Sequence, residues 1–372
     1  MTRLKVFFTD RQTRADYNML DKLEHVFREL GLMEEIKAGD KVMIKTHFGL
    51  YGNTNHIRPA YVRKLVDLVK AAGGYPFVAD TCSRAYGNDG PYGGRTTQPE
   101  YLERAAMNGF TSGVLGAPMI IADGYWGVDV YKVPIEGEYI KSVDVAAATL
   151  DCDKVILLTH AKFHHIGIAG SLKNMGVGMV GKQGKSAIHC PDGLEVFPEK
   201  CLGYECSKCV SVCPTRCIEV SDKLSVDADK CVECGHCSSV CATINAGALV
   251  MRWSMSNMAE RIIENALGVQ QSIGSDKFYY INLAIDISDL CDCVSVGAPL
   301  LMHDLGIFGS TDPIAVDHAT LQAMKNAKLN PASPKINDFD RLVESSQSFF
   351  KHGEKLGVGN IHYELIFLSK SK

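Results

Sequence analysis

The chain has 372 residues, with 39 Lys and Arg against 43 Asp and Glu, a net charge of −4 and no block of either sign. Its length allows one large core and a small second domain, since single cores stop growing at roughly 250 to 300 residues. The charge balance excludes nucleic acid and an anionic membrane surface as partners and leaves proteins or small molecules.

No apolar run approaches the roughly 18 residues of a membrane span, and "MTRLKVFFTDRQTR" lacks the apolar stretch of a secretion signal. The expected location is therefore the cytoplasm. In that reducing compartment the 14 cysteines are expected to bind metal rather than to pair. The expected setting is anaerobic, or shielded from oxygen.

In chain order, "LKVFFT" predicts a strand, and residues 17–30 a helix through Leu20, Leu23, Phe27 and Leu30. "KVMIKTH" follows as strand. Residues 60–72 form a helix closed by Gly73 and Gly74, "YPFVAD" a strand, "PEYLERAAMNGF" a helix opened by Pro99, and "PMIIADG" a strand. Residues 143–150 read as helix before the strand "DKVILLTH". After residue 250, "FYYINLAIDI" and "APLLMHDLG" read as strands, "DPIAVDHATLQAMKNA" as a helix, "NPASPKIND" as a loop and "HYELIFL" as the last strand. The expected fold class is α/β, a mostly parallel sheet flanked by helices. Residues 200–250 interrupt it as a small α+β domain, leaving residues 1–199 and 251–372 as the two parts of the main one.

That interruption is an internal repeat. Cys206, Cys209 and Cys213 recur at Cys234, Cys237 and Cys241, each displaced by 28 residues, with Cys201 and Cys231 ahead of each half. The spacing resembles that of a bacterial two-cluster ferredoxin, in which three cysteines of one loop hold a cubane and the fourth crosses to the other. The resemblance implies two 4Fe-4S clusters, one on Cys201, Cys206, Cys209 and Cys241, the other on Cys231, Cys234, Cys237 and Cys213. Zinc is the rival occupant, but zinc ribbons give no role to the C-x3-C that follows each pair. Two departures stand out: the four-residue gap after Cys201, and Ala242 where proline usually follows the fourth cysteine. Cys217 is the substitute for Cys201 that the gap invites, although its place suits a buried thiol. Cys82, Cys152 and Cys190 have no partner at this spacing.

The strands end in polar residues, and ligands of open α/β sheets bind beyond the carboxyl ends of strands. His47, Asp80, His160 and Asp304 stand at such ends, and Asp123 and His303 share the pattern. His160, Lys162, His164 and His165 precede a glycine-rich run with Lys173 and Asn174. Imidazoles suit metal binding or proton transfer, and lysines beside glycine backbone suit a phosphate or carboxylate. We expect His160, Lys162, His164 and Lys173 in catalysis, and His47, Asp80, Asn174 and Asp304 in binding a second cofactor or metal, of unknown identity. Alone, each such residue equally caps a helix or satisfies a loop amide. "CDC", Cys291 to Cys293, reads as two partly buried thiols at a strand end.

With "IKTHFG", "FVADT", "IIADG", the H-x-K-x-H of His160 to His164, "SLKNMG", "CDC" and "DPIAVD" in hand, the chain resembles the family catalogued as domain of unknown function 362, carrying an inserted ferredoxin module. The resemblance implies two 4Fe-4S clusters on an α/β domain and supplies no substrate. The leading expectation is an iron-sulfur oxidoreductase that takes electrons from a soluble redox partner and delivers them to a small-molecule substrate or cofactor on the α/β domain. Two alternatives stand beside it. One is a non-enzymatic electron carrier or cofactor-assembly partner that docks on another metalloenzyme. The other is non-redox chemistry at the His/Lys site, with structural clusters. No G-x-G-x-x-G follows a predicted strand, so a dinucleotide site has no support.

Overall fold

A computed structural model describes residues 4–84, 94–221, 223–244 and 246–369. Its strands in chain order are β1 (Lys5–Asp10), β2 (Lys41–Lys45), β3 (Tyr75–Asp80) and β4 (Met119–Ile121). A hairpin of β5 (Val130–Pro134) and β6 (Ser142–Ala146) follows, then β7 (Lys154–His160) and a short hairpin of β8 (Lys162–His164) and β9 (Gly167–Ala169). The cysteine-rich stretch contains β10 (Glu195–Val196), β11 (Ile218–Val220), β12 (Leu224–Val226) and β13 (Leu249–Val250). The chain ends with β14 (Phe278–Ala284), β15 (Gly306–Ser310) and β16 (Glu364–Phe367).

Eight of these form the central sheet, in the order β16-β1-β15-β14-β7-β2-β3-β4. All run parallel except β15, which is antiparallel to both β1 and β14. The middle strands are apolar along nearly their whole length because helices cover both faces. In β7, Val155 and Leu157 enter one core with Tyr280, Ile262 and Ile314, while Ile156 and Leu158 enter the other with Phe27, Val62 and Leu65. The helices Met258–Ile273 and Pro313–Asn326 thus cover one face, and Met19–Glu29 and Pro59–Ala71 the other.

Two sequence expectations need correction. Residues 143–150 are not an α-helix: β6 pairs with β5 over Ser142–Ala146, and a 3-10 turn spans Ala147–Asp151. The run of Ala and Val is helix-permissive, but the hairpin partner decides. "APLLMHDLG" is not a strand; the strand begins at Gly306 and is the one reversed member of the sheet.

In the cysteine-rich stretch, β11 and β12 form a hairpin. The β10–β13 pair sets Glu195 opposite Val250 and Val196 opposite Leu249, which brings the two ends of the stretch together. A small core of Cys217, Ile218, Val220, Leu224, Cys237, Cys241, Ala248 and Leu249 fills it.

Candidate functional site

The 28-residue repeat is visible in the backbone. Ser207 (φ 36°) and Gly235 (φ 82°) are both left-handed, and each starts a short helix, Lys208–Ser211 and His236–Thr243. Glycine fills that conformation without strain, whereas Ser207 must be held there by its neighbours. Cys206, Cys209 and Cys201 line one small cavity with Cys241; Cys231, Cys234 and Cys237 line another with Cys213. Cys217 stands on the second cavity, its sulfur 3.4 Å from that of Cys213, while Cys201 stands on the first.

A larger cavity of about 510 Å3 opens at the carboxyl edge of β2, β3 and β7. Lys45, at the end of β2, is 2.7 Å from Asp80 at the end of β3 and donates to Asn174 Oδ1 at 2.9 Å. Tyr101 OH also donates to Asp80. Burial pushes the Asp80 carboxyl up, but the Lys45 charge and the hydrogen bonds from Lys45 and Tyr101 outweigh it and hold it below its ordinary value. His47 takes the Gly49 amide on Nδ1 at 2.9 Å and faces Arg95 through Nε2 at 2.8 Å. Burial and the Arg95 charge push its pKa down to about 3, so it is neutral.

The helix Ser171–Gly176 brings Lys173 and Asn174 to the wall. Its first amides, Ser171 and Leu172, donate to Asp317 at 2.7 and 2.9 Å. A Cβ at Gly170 would lie 2.3 Å from that carboxylate, which explains glycine there. Burial, then Arg95, lowers Lys173 to about 8. Burial likewise lowers Lys185 to about 8, against the pull of Asp123 and Asp80. His164 and His189 are also held well below the usual imidazole value, by burial first and by neighbouring cations. Lys45, Arg84, Arg95, Lys173 and Lys185 face two carboxylates, Asp80 and Asp292. This balance favours an anionic ligand.

Asp292 organises the far wall. His160 Nδ1 lies 2.9 Å from it, and Lys162 Nζ donates to it at 2.8 Å. His160 Nε2 faces the Ile285 carbonyl at 2.7 Å, so both ring nitrogens meet acceptors. The carboxyl of Asp292 is held far below its ordinary value: burial opposes this, but the charges of His160 and Lys162 and the His160 hydrogen bond prevail. Cys291 and Cys293, on either side, line the cavity and are joined as a disulfide rather than being free thiols. Their loop follows β14 instead of ending a strand.

Of the residues expected at this site, His47, Asp80, His160, His164, Lys173 and Asn174 line one cavity. Lys162 stands behind its wall, bonded to Asp292 and the Asn55 carbonyl. Asp304 is elsewhere. It lies just ahead of β15, where it accepts from the Asp286 amide at 2.8 Å and pairs with Arg11 at 3.1 Å. It shares the sheet edge but sits at the start of β15, towards β1, with β14 between that strand and the cavity strands. Arg84, Arg95, Lys185, His189 and Trp253 were not anticipated; of these only Lys185, in "GKQGK", carried a sequence signal. Asp292 stands between the two cysteines of "CDC", where no spacing marks it as a partner of His160.

Several known proteins are similar to this chain. A protein named "Ferredoxin 7Fe" from Hydrogenibacillus schlegelii is 45% identical over 47 residues, 12% of this chain and 60% of its own length, so less than two thirds of that relative is spanned. Among solved structures, that of the lactate racemase apoprotein from Thermoanaerobacterium thermosaccharolyticum is 10% identical with a TM-score of 0.40, over 84% of this chain and 54% of the other. No helix among the described residues is long and apolar enough to cross a membrane. The family model described as "Domain of unknown function (DUF362)" matches residues 42–322, most of the chain, and the protein belongs to that family.

Proposed function

We propose that this is an iron-sulfur redox protein in which residues 200–250 hold two 4Fe-4S clusters and electrons reach a small anionic substrate in the cavity of the α/β body, itself made of residues 1–199 and 251–372. The observation that carries the reading is the crossing of the cysteine sets. Each small cavity takes three cysteines from one half of the repeat and one from the other, Cys241 in the first and Cys213 in the second. A cubane needs four thiolates at its corners, and the exchange of the fourth is what a two-cluster fold requires. Tetrahedral zinc at about 2.3 Å per sulfur would draw its ligands within about 4 Å of one another. Among the described residues no three of these eight sulfurs lie within 4.8 Å of one another, which favours the larger cluster. The 47-residue likeness to a protein named ferredoxin supports the same occupant. When bound, such clusters supply single electrons.

The chain's own residues supply the connection. Met251 lines the second cysteine cavity, and its sulfur is 3.6 Å from Arg84, which lines the large one. Trp253, two residues on, also faces the large cavity and stacks on His189 with ring centroids 4.3 Å apart. A carrier or assembly partner would have no use for a walled cation-rich cavity beside its cluster, so the enzyme reading is the stronger one. The test is iron and acid-labile sulfide per chain in anaerobically purified protein. About eight of each is expected; two zinc ions without iron would refute the reading. Seven irons, the number in the relative's name, would show that one set holds an incomplete cluster.

A further inference from the structure

One ring nitrogen of His164 and the sulfurs of Cys291 and Cys293 lie within 4.8 Å of one another on the wall of the large cavity. We propose that, in the reduced protein, these three residues bind one divalent transition-metal ion of the zinc class, with its fourth position open to the cavity. The inference rests on the reading of that cavity as a substrate site and names what meets the substrate there. Two thiolates and an imidazole form a borderline-soft donor set, and three protein ligands with one open position is the arrangement of catalytic rather than structural zinc.

Three further observations support it. The Nδ1 of His164 is buried with no hydrogen-bond partner among the described residues, a costly state that a metal or its water would relieve. The Cys-Asp-Cys loop is fixed from outside. Asp292 is held by His160 and Lys162, Asn53 Nδ2 donates to the Cys291 and Val294 carbonyls at 3.4 and 3.1 Å, and Arg95 donates to the Cys293 carbonyl at 3.3 Å. Such contacts orient ligands and raise affinity. Finally, the Lys173 amine lies 3.6 Å from the Cys291 sulfur, where its charge favours the thiolate.

The disulfide seen between Cys291 and Cys293 is the metal-free oxidised form. Its reduction takes two electrons and two protons, supplied by an external thiol or phosphine reductant, and gives two thiols. Metal binding then releases both thiol protons.

The test uses the full chain with its iron in place, reduced anaerobically with a phosphine, equilibrated with Zn2+ and freed of excess. One zinc per chain beyond the iron is expected, with an X-ray absorption spectrum of two sulfurs at about 2.3 Å and nitrogen or oxygen at about 2.0–2.1 Å. Cys293→Ser and His164→Ala should each lower zinc affinity at least tenfold with iron unchanged, and Cys152→Ser should alter neither. Asp292→Asn, which removes a positioning residue, should weaken binding about 10- to 100-fold. Zinc retained in full by Cys293→Ser, an all-sulfur zinc spectrum, or no zinc above the iron would each overturn the proposal. The iron count tests the cluster reading separately, so the two failures are distinguishable.

Discussion

Asp292 shows how much one residue can do between distant partners. Its carboxylate is buried against His160 and Lys162, and removing one member of a buried charge set leaves the others uncompensated at a cost of about 3–5 kcal/mol. Asp292→Asn should therefore lower the thermal midpoint markedly, and Lys162→Met in the same chain should restore part of it; equal midpoints for the wild type and the single variant would contradict the clamp. Lys173 offers a pH test. Its pKa is lowered to about 8, chiefly by burial, so the amine is charged below that value and neutral above it. Lys185 behaves alike, for the same reason. Sulfate stays ionised throughout, so its affinity by calorimetry should fall as pH rises from 7 to 9, and Lys173→Met should flatten that fall. A pH-independent affinity would mean that these amines do not hold the anion.

At the scale of elements, the helix Ser171–Gly176 carries Lys173 and Asn174 but cannot position itself. Six residues are too few to be stable alone, and Asp317, from the helix Pro313–Asn326, caps its first amides while accepting from Asn282 at 2.8 Å. Asp317→Ala should cost about 1–2 kcal/mol as a lost cap and weaken sulfate binding while leaving the iron content unchanged. Unaltered binding would show that the helix is held by packing alone. The parallel strands were legible because "KVMIKTH", "YPFVAD" and "DKVILLTH" are apolar runs closed by polar residues, and their ends do line one cavity at His47, Asp80 and His160. Asp304 failed the same argument because it precedes the reversed strand, which no local pattern reveals. The hairpin of β5 and β6 was missed for a related reason. Its stability comes from cross-strand pairs such as Lys132 with Asp144, and residues 143–150 carry no strong period of their own.

Over the whole molecule, the sequence announced its cysteine repeat through spacing alone, since three cysteines of each half stand close together in the chain. A contact just beyond the cysteine-rich stretch, Arg84 with Met251, is separated by 167 residues and left no such mark. Nor did the pairing of His160 with Asp292, 132 residues apart. Both depend on topology, which places the returning chain beside the carboxyl edge of β3 and β7. The crossing of the cysteine sets is where the proposed function is most exposed to test. Cys241 belongs to the second half of the repeat yet lines the cavity of Cys201, Cys206 and Cys209. The most direct measurement is iron content with electron paramagnetic resonance of the dithionite-reduced Cys241→Ser protein beside the wild type. The account predicts about eight irons and two interacting cluster signals in the wild type. In the variant it predicts about four irons and a single isolated signal, which further substitution of Cys206 leaves unchanged and substitution of Cys234 abolishes. If substitution of Cys206 abolishes the remaining signal and that of Cys234 does not, Cys241 serves its own half, and the crossed arrangement is wrong.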